Sequence, residues 1–258
     1  MKKIPLVVIV GPTGVGKTDL AIRLAKGIHG EIVSADSMQI YRYMNIGTAK
    51  PTLEERQGIP HYMMDVVEPD EAFNAALFQK GAGESIRKIN AGKKLPILAG
   101  GTGLYINSIL YPMGFTDAAE DPEYRSHLNK VLEQHDNQYL HDLLEQTDPD
   151  TAARLHPNDT RRTIRALEVY HVTGKTMMEF RQDYHNMESP CYDWMLYGLT
   201  MGRSKLYERI NKRVDRMIQS GLVKEVKKLL DMGYRGDLVS MQGLGYKEIL
   251  HYLEGRST

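Results

Sequence analysis

Residues 11–18 read Gly11-Pro12-Thr13-Gly14-Val15-Gly16-Lys17-Thr18 and match the pattern G-x-x-x-x-G-K-[ST] without a gap. The apolar run of residues 4–10 precedes them, and its continuous β-branched character is typical of a parallel strand buried on both faces. An amphipathic segment from Thr18 to Ile28 follows and predicts a helix. Backbone N–H groups at such a helix start converge on phosphate oxygens, Lys17 adds a positive charge, and the Thr18 hydroxyl can ligate Mg²⁺. We therefore predict that this phosphate loop (residues 11–18) binds a diphosphate or a triphosphate.

Strand and helix patterns alternate along the first part of the chain. Gly30 is expected to end the first helix, and a second helix is predicted from Ala75 to Asn90 with Asn74 as its N-cap. The alternation predicts the α/β class, with a P-loop NTPase-like parallel sheet flanked by helices. The apolar runs that predict further strands are residues 31–33, 63–67 and 95–99.

The pattern changes after this region. Residues 117–150 contain ten acidic and two basic side chains, residues 154–181 form a basic stretch, and both have helical spacing without a strand signal. We therefore predict an inserted all-helical subdomain at residues 115–186. The α/β core is then discontinuous and comprises residues 1–114 and 187–258.

The second part of the core begins with strand character at residues 194–200. Apolar stripes at helical spacing follow it and indicate helices. One long helix, rich in Arg and Lys, is predicted from Lys205 to Lys228.

Composition excludes several classes of protein. The chain carries 33 Lys plus Arg and 33 Asp plus Glu, so no net charge draws it to a polyanion, and any nucleic-acid surface must be local. Its one cysteine, Cys191, can build neither a disulfide framework nor a thiolate metal site and is typical of a reducing compartment. The apolar run of residues 4–10 is too short to span a bilayer, and no small-residue cleavage site follows it. We expect neither a membrane segment nor an export signal.

Carboxylates near the strand ends are the next candidates for chemistry. Most P-loop NTPases hold their metal with an acid at the end of a second strand, but residues 95–99 are followed by Gly100-Gly101-Thr102-Gly103. The nearest acid after a strand is Asp36. Two interpretations stay open on these residues alone: a turn or helix N-cap residue, or a functional carboxylate, because the carboxyl ends of parallel strands line the ligand crevice.

Several segments taken together resemble one family, the tRNA dimethylallyltransferases. The resemblance extends from the first strand to about Leu253, almost the whole chain. It implies transfer of a dimethylallyl group from its diphosphate to the exocyclic N6 of the adenosine just 3′ of the tRNA anticodon (position 37), with release of diphosphate. The segments are the phosphate loop, Asp36-Ser37-Met38-Gln39-Ile40-Tyr41, residues 45–51, Gly100-Gly101-Thr102-Gly103-Leu104-Tyr105, and His156-Pro157-Asn158-Asp159 with Arg161, Arg162 and residues 165–168.

For the diphosphate, the resemblance implies that residues 11–18 hold a leaving group, with Thr18 as the Mg²⁺ ligand. The cationic loop then stabilises the charge that develops as the C–O bond breaks. Because no phosphoryl group moves, the acid that most P-loop NTPases use is not needed. Arg203 resembles the second cation that clamps the diphosphate in this family. Its alternative interpretation is a surface arginine at a helix start, where a cation is unfavourable unless an anion lies nearby.

For catalysis, the adenine amine has a delocalised lone pair and must lose a proton as it attacks, so a general base is needed. Asp36 matches the catalytic aspartate of the family, and Thr102 matches a position that contacts the substrate nucleotide. Lys17 and Arg203 complete the implied catalytic set. Without the family, Thr102 is interpreted as the N-cap of a helix that begins at Leu104.

For tRNA, we expect the target base to be extruded from its loop and read by side chains that stack on it or bond its edges. The alternative interpretation of Arg161, Arg162 and Arg165 is a solvated helix face that pairs with the preceding acidic segment. The alternative interpretation of residues 242–247 is a turn before the last helix. Some basic residues of the helix from Lys205 to Lys228 are also expected to face RNA. The implied contacts are Asp36, Ser37, Met38, Gln39, Thr102, Arg125, Arg161, Arg162, Thr163, Ile164, Arg165, Gln242, Gly243, Leu244, Gly245, Tyr246 and Lys247.

The resemblance also implies the partners, which are dimethylallyl diphosphate and the tRNA anticodon stem-loop, with Mg²⁺ as cofactor. We expect a cytoplasmic monomer that binds no membrane. Family members usually continue for several dozen residues beyond the point equivalent to Thr258, and eukaryotic relatives often carry a Cys/His zinc finger there. One cysteine does not allow such a finger, so a bacterial source is expected.

Two other classes of function stay as alternatives. A small-molecule or nucleotide kinase would also combine a phosphate loop with an arginine-bearing helical lid, and it would consume a nucleoside triphosphate. The Gly-Gly-Thr-Gly loop and the missing acid argue against a kinase. A nucleotide-gated RNA-binding module without chemistry would use Asp36 only as a turn residue.

Overall fold

The structure is a computed structural model, and it describes residues 2–112, 121–180 and 191–256. The chain divides into two compact units, Met1–Pro112 with Ser189–Thr258, and Met113–Glu188. The predicted boundaries after residues 114 and 186 lie outside the described residues.

Strands and helices alternate through the first unit, and the described elements of the second unit are helices. No helix in the described part of the chain combines the length and the hydropathy that crossing a bilayer requires. The elements in chain order are β1 (Ile4–Val10), α1 (Lys17–Ile28), β2 (Gly30–Ala35), β3 (His61–Tyr62), α2 (Ala75–Ala91), β4 (Leu95–Gly100), α3 (Gly103–Leu110), α4 (Pro122–Gln134), α5 (Asn137–Thr147), α6 (Pro149–Ala152), α7 (Thr160–Thr173), α8 (Met177–Phe180), β5 (Tyr192–Gly198), α9 (Arg203–Gln219), α10 (Leu222–Asp231) and α11 (Tyr246–Leu253).

The first unit is built on a parallel sheet of five strands in the order β3-β2-β4-β1-β5. Val10 at the end of β1 lies beside Gly100 of β4 and Gly198 of β5, and Ala35 of β2 also lies beside Gly100, so four strands end at one level. The loops that follow β1, β2 and β4 therefore share one edge of the sheet, where ligands of open α/β folds bind. This arrangement confirms the predicted α/β class with a parallel sheet flanked by helices.

Two apolar clusters hold the helices of this unit in place. Ala21, Ile22 and Ala25 of α1 pack against Ile9, Ile32 and Ile97 of the sheet. A second cluster joins the chain after β2 to α10 and α11 through Met44, Val226 and Leu250, among other buried side chains. Burial of such apolar faces supplies most of the stability of short helices.

Several element boundaries differ from the prediction. The predicted strand at residues 63–67 is wrong: β3 ends at Tyr62, because Met63 and Asp65 have φ of 61° and 55°, which an extended strand excludes. The prediction that Gly30 ends the first helix is also wrong. His29, with φ of 52°, is the left-handed C-cap residue, and Gly30 already begins β2.

The predicted helix from Lys205 to Lys228 is divided into α9 and α10. Ser220 ends α9, and Gly221, with φ of 99°, precedes α10, so the helical axis breaks there. The predicted N-cap at Asn74 is confirmed, since its side chain accepts a hydrogen bond from the N–H of Leu77. β5 spans Tyr192–Gly198, two residues earlier than the predicted strand.

The second unit has its own core, in which Leu128, Leu140, Leu144, Ala166 and Leu167 are buried together. Asp121, Asp136 and Asp148 cap α4, α5 and α6 by accepting hydrogen bonds from backbone N–H groups of the first helical turn. Acidic residues of this segment therefore begin helices, which explains part of its acidic composition.

Candidate active site

The phosphate loop connects the end of β1 to the start of α1. Gly16 is the N-cap residue of α1 and has φ of 103°, a conformation that favours glycine. A Cβ atom on Gly11 would lie 2.6 Å from the carbonyl oxygen of Leu199, so only glycine fits there without a shift of the backbone. The loop and the first turn of α1 thus present backbone N–H groups at the sheet edge, as a phosphate site requires.

Lys17 lies inside this loop. Its Nζ donates hydrogen bonds of 2.9 Å to the carbonyl oxygens of Gly11 and Pro12. Burial lowers the pKa of Lys17 below its ordinary value, and the nearby Asp36 carboxylate opposes that effect. The ammonium is therefore held where a bound phosphate would meet it.

Asp36 directly follows β2 and forms the first residue of a turn (the Asp36 turn, residues 36–39). Its Oδ1 accepts hydrogen bonds from the N–H groups of Met38 at 2.9 Å and Gln39 at 3.3 Å. Within the described residues, Oδ2 accepts no hydrogen bond, although Lys17 and Arg213 lie near enough to interact with the carboxylate. The turn interpretation and the functional interpretation are therefore compatible, since one oxygen fixes the carboxylate and the other is available for chemistry.

Thr102 follows β4 and ties its loop to the Asp36 turn. Its Oγ1 accepts a hydrogen bond of 3.0 Å from the N–H of Ser37 and lies 3.3 Å from the Ser37 hydroxyl. Thr102 occupies the N-cap position of α3, but its side chain makes no capping hydrogen bond. The N-cap position of Thr102 was therefore correctly predicted from the sequence, but its hydroxyl bonds to the Asp36 turn and not to α3.

A cavity of about 470 Å³ opens over the phosphate loop and the Asp36 turn. Helix α9 forms one wall, and its Ile210 would lie 3.2 Å from a Cβ placed on Gly14. Burial lowers the pKa of Arg213 in this wall, and the Asp36 carboxylate opposes that effect. The side chains that α9 contributes are Arg209, Lys212, Arg213 and Arg216.

These four basic residues were not predicted as part of the diphosphate site. Their spacing of three and four residues places them on one face of a helix, and that could have been predicted from the sequence. The sequence does not show that this face turns toward the phosphate loop, because the packing of Ile210 over Gly14 decides it.

Arg203 is the first residue of α9, as predicted, but it does not line this cavity. Its guanidinium lies 5.4 Å from the centre of the Tyr207 ring, and one nitrogen is 3.4 Å from the Tyr207 hydroxyl. Both side chains are exposed.

A smaller cavity of about 40 Å³ also borders Asp36 and is lined in part by Lys17, Thr18, Ser34 and His61. Nδ1 of His61 lies 2.8 Å from the carbonyl oxygen of Ile59. Nε2 of His61 is buried and has no hydrogen-bond partner among the described residues. Burial lowers the pKa of His61 below its ordinary value, so the ring is neutral at physiological pH.

Gln39 and Met38, both predicted to contact tRNA, have structural partners. The buried Gln39 side chain accepts a hydrogen bond from Ser34 Oγ and donates from Nε2 to the carbonyl oxygens of Thr48 and Ala49. Met38 packs so closely on Gly243 that a Cβ there would lie 2.4 Å from the Met38 methyl group. The structure therefore brings the Asp36 turn together with the predicted contact segment 242–247.

Segment 242–247 combines exposed and buried side chains. Leu244 is 86% exposed, and Gln242 and Lys247 are also exposed. Tyr246 is buried, and its hydroxyl donates a hydrogen bond of 2.6 Å to Glu225. Burial and the Glu225 carboxylate together raise the pKa of Tyr246, so its hydroxyl stays protonated. Tyr246 therefore holds the segment in place, whereas Leu244 faces solvent.

The arginines of the second unit differ in their surroundings. Arg161 and Arg162 are exposed on α7. Arg125 and Arg165 are only about one-third exposed and form ion pairs of 2.7 Å and 2.5 Å with the fully buried Glu168. Burial acts to raise the pKa of Glu168, but hydrogen bonds from Arg165, from the N–H of Asp121 and from Arg125 hold it below its ordinary value. Arg125 and Arg165 thus both pair with a carboxylate of α7.

Comparisons with known proteins give a consistent result. A family model described as IPP transferase matches residues 39–258. The tRNA dimethylallyltransferase of Alkaliphilus metalliredigens is 52% identical over 256 residues, which cover 99% of this chain and 81% of that protein. The protein of the same name from Carboxydothermus hydrogenoformans is 51% identical, over 98% of this chain and 81% of its own length.

Solved structures resemble the chain in the same way. The full-length tRNA isopentenylpyrophosphate transferase of Bacillus halodurans matches with a TM-score of 0.70 at 46% identity, over 99% of this chain and 79% of that one. A eukaryotic dimethylallyltransferase, described as acting on tRNA, matches with a TM-score of 0.81 at 33% identity, over 98% of this chain and 64% of its own.

Proposed function

Since this chain belongs to the IPP transferase family of tRNA dimethylallyltransferases, we propose how its own residues perform the transfer of a dimethylallyl group to a tRNA adenosine. The donor is dimethylallyl diphosphate, and the acceptor is N6 of the adenosine 3′-adjacent to the anticodon, position 37. The products are N6-isopentenyladenosine and diphosphate. The observation that carries this proposal is the cavity in which the Asp36 carboxylate and the Lys17 ammonium lie together over the phosphate loop.

The phosphate loop acts on the leaving group. A C–N bond forms at N6 while the C–O bond to the diphosphate breaks, so negative charge grows on the diphosphate. Lys17 and the loop N–H groups stabilise that charge, and Arg213 adds a second cation from the opposite wall. Arg203 completes the clamp when it leaves the Tyr207 ring, because an anion in the cavity attracts it more strongly than the ring does.

Mg²⁺ fits this site. Mg²⁺ takes few protein ligands and completes its octahedron with substrate phosphates and waters. Thr18 lines both cavities, and its hydroxyl makes no hydrogen bond within the described residues, so it is available as a ligand. The ranges 2–112, 121–180 and 191–256 contain no cluster of three or more His, Cys, Asp or Glu that could hold a metal ion by itself. When bound, Mg²⁺ neutralises part of the charge on the diphosphate.

Asp36 is the general base. The Asp36 turn fixes Oδ1, and Oδ2 accepts the proton that N6 loses as it attacks the dimethylallyl carbon. Thr102 holds the backbone of Ser37, the next residue, and its hydroxyl lies at the same sheet edge to orient the amine. Lys17 and Arg213 both lie near enough to this carboxylate to interact with it electrostatically.

The tRNA anticodon stem-loop is the acceptor, with its target base extruded toward Asp36. Its phosphates are gripped by exposed cations such as Arg161 and Arg162, and Leu244 offers an exposed apolar side chain against which a base can stack. Arg125 and Arg165 keep one-third of their surface exposed and can contact phosphate while paired with Glu168.

The enzyme acts as a monomer in the cytoplasm. One chain supplies the phosphate loop, Asp36, Thr102 and α9, so no second copy is required to complete the cavity. The substrate tRNA and the lone cysteine fit a reducing, tRNA-containing compartment.

The experiment that tests the function uses the whole chain, Mg²⁺, radiolabelled dimethylallyl diphosphate and unmodified bacterial tRNA with three consecutive adenosines in its anticodon loop. We expect label in the RNA at position 37. Label transfer without the prenyl donor, from a γ-labelled nucleoside triphosphate, would instead support a kinase. Binding of tRNA with no transfer at all would support an RNA-binding module.

A further inference from the structure

His61 carries a buried hydrogen-bonding atom that no described residue satisfies. The ring lines the 40 Å³ cavity together with Lys17, Thr18 and Asp36. Buried polar atoms are almost always hydrogen-bonded, to protein or to ordered water, because an unsatisfied one costs free energy. The unpartnered Nε2 therefore points to a partner that the described residues do not supply, such as an ordered water.

The state of the ring follows from its other nitrogen. A carbonyl oxygen can only accept a hydrogen bond, so the 2.8 Å contact with Ile59 requires a hydrogen on Nδ1. In the neutral ring, Nε2 then carries a lone pair and can only accept. The partner of His61 must be a donor.

The cavity is suited to water. Its volume of about 40 Å³ exceeds the roughly 10–15 Å³ that one water needs. A buried water typically makes about three hydrogen bonds. Lys17 offers a third ammonium hydrogen besides the two that it donates to Gly11 and Pro12, and Asp36 Oδ2 offers an acceptor.

We propose that His61 positions the catalytic base: its Nε2 accepts a hydrogen bond from a water in this cavity that also donates to Oδ2 of Asp36. The inference depends on the proposed role of Asp36. His61 touches neither substrate nor reacting atoms, so it is a positioning residue that acts through Asp36. The water and the Asp36 turn together hold both carboxylate oxygens in the orientation that receives the N6 proton.

Two substitutions of His61 separate the two ring nitrogens. Asn can replace Nδ1 as the donor to Ile59 but has no atom at the place of Nε2. Gln can place an acceptor at Nε2 but gives up the donor to Ile59. We expect His61→Asn to lower kcat about 10- to 100-fold, as displaced catalytic groups do, with the KM for dimethylallyl diphosphate unchanged. His61→Gln is expected to restore most of the kcat that His61→Asn loses.

A role of His61 only as a strand anchor predicts the reverse order, because Asn keeps the contact with Ile59. Equal losses in both variants, or a greater loss in His61→Gln, overturn the proposal. Thermal unfolding of each variant shows whether a loss of kcat follows a loss of fold.

A double-mutant cycle with Asp36→Asn gives the second measurement. If His61 acts through Asp36, His61→Asn costs nothing further in the Asp36→Asn background, whereas independent roles give additive losses and overturn the proposal. Should Asp36→Asn alone retain normal turnover, the proposed base is wrong, which is a separate result.

His141 is the matched control. Its Nε2 lies 3.1 Å from the carbonyl oxygens of Ala152 and Leu155, and its buried Nδ1 has no partner among the described residues. His141 lines neither cavity that Asp36 lines. His141→Gln removes a comparable ring and is expected to leave kcat unchanged, and an equal loss there overturns the assignment to His61.

Discussion

The Tyr246 hydroxyl and the Glu225 carboxylate share a hydrogen bond of 2.6 Å that joins α11 to α10. The same carboxylate accepts hydrogen bonds from the N–H groups of Asn45, Ile46 and Gly47. The Glu225 side chain therefore joins α10, α11 and the loop of residues 45–47.

Glu225→Ala is expected to destabilise the protein by about 3 kcal/mol, because it leaves the buried Tyr246 and the partly buried N–H groups of Ile46 and Gly47 without their charged acceptor. Tyr246→Phe removes only one of these hydrogen bonds and should cost about 1 kcal/mol. Urea unfolding measures both. Tyr252→Phe on the same helix is the control, since Tyr252 is exposed. If Glu225→Ala lowers the free energy of unfolding no more than Tyr252→Phe does, water replaces the carboxylate as the hydrogen-bond acceptor.

Gly47→Ala should also destabilise the protein, by about 1–3 kcal/mol, because overpacking forces neighbours to move. A Cβ there would lie 2.4 Å from the Tyr246 ring. Gly27 is the matched control: it lies in α1, and a Cβ there meets nothing within 4 Å. Gly27→Ala is expected to be neutral or to stabilise the helix by about 0.5–1 kcal/mol. Equal effects of the two substitutions in urea unfolding would refute the close contact.

Asp36→Asn should lower the rate of prenyl transfer by about 10²- to 10⁴-fold, the contribution typical of a general base. The Asn side chain keeps an oxygen that accepts from Met38 and Gln39, so the turn and the fold are expected to remain. Single-turnover rates test the chemistry, and calorimetric titration with dimethylallyl diphosphate tests binding, which we expect to be unchanged. Normal turnover in this variant would remove Asp36 as the base.

Arg161→Ala is expected to weaken tRNA binding and to reduce the slope of log affinity against log salt by about 1, as the loss of one phosphate contact does. Arg23→Ala is the control, since Arg23 is exposed on α1 and pairs with Asp19. Filter binding of tRNA between low and moderate salt measures both slopes. An unchanged slope in Arg161→Ala would contradict a phosphate contact at this position.

The pKa of Glu168 makes stability depend on pH. Because hydrogen bonds from Arg165, from the N–H of Asp121 and from Arg125 lower that pKa in the folded protein, the stabilisation is present above the unfolded-state pKa of about 4.5. It is lost as the pH falls through the lower, folded-state pKa. Glu168→Gln should therefore be less stable than the natural chain at pH 7, and the difference should shrink in acid. A difference independent of pH would refute this linkage.

Much of the fold could be predicted because local patterns and tertiary structure agree. The continuous apolar run of β1, the phosphate loop and the cap at Asn74 each have a short-range signal. The turn after β3, where the sequence pattern predicts a strand, has no such short-range signal. Met63 and Asp65 take left-handed conformations there, in which glycine is the usual residue. Their neighbours in the folded chain impose that geometry.

The candidate site was predicted less completely than the fold. The phosphate loop and Asp36 lie on one cavity, in agreement with their positions after parallel strands. Arg213 lines the cavity only because α9 packs over Gly14. Gln39 donates a hydrogen bond to the carbonyl oxygen of Thr48, which lies nine residues further along the chain. Such long-range contacts leave no periodicity in the sequence.

The turn at Asp36 also means that the Asp36 carboxylate is ordered during folding and not during substrate binding. Rotation of the carboxylate would break its hydrogen bonds to Met38 and Gln39, so the direction of its other oxygen is set by the backbone before any tRNA arrives. The reorganisation energy of this group is then spent once, during folding, and in the proposed mechanism each turnover begins with a preorganised proton acceptor.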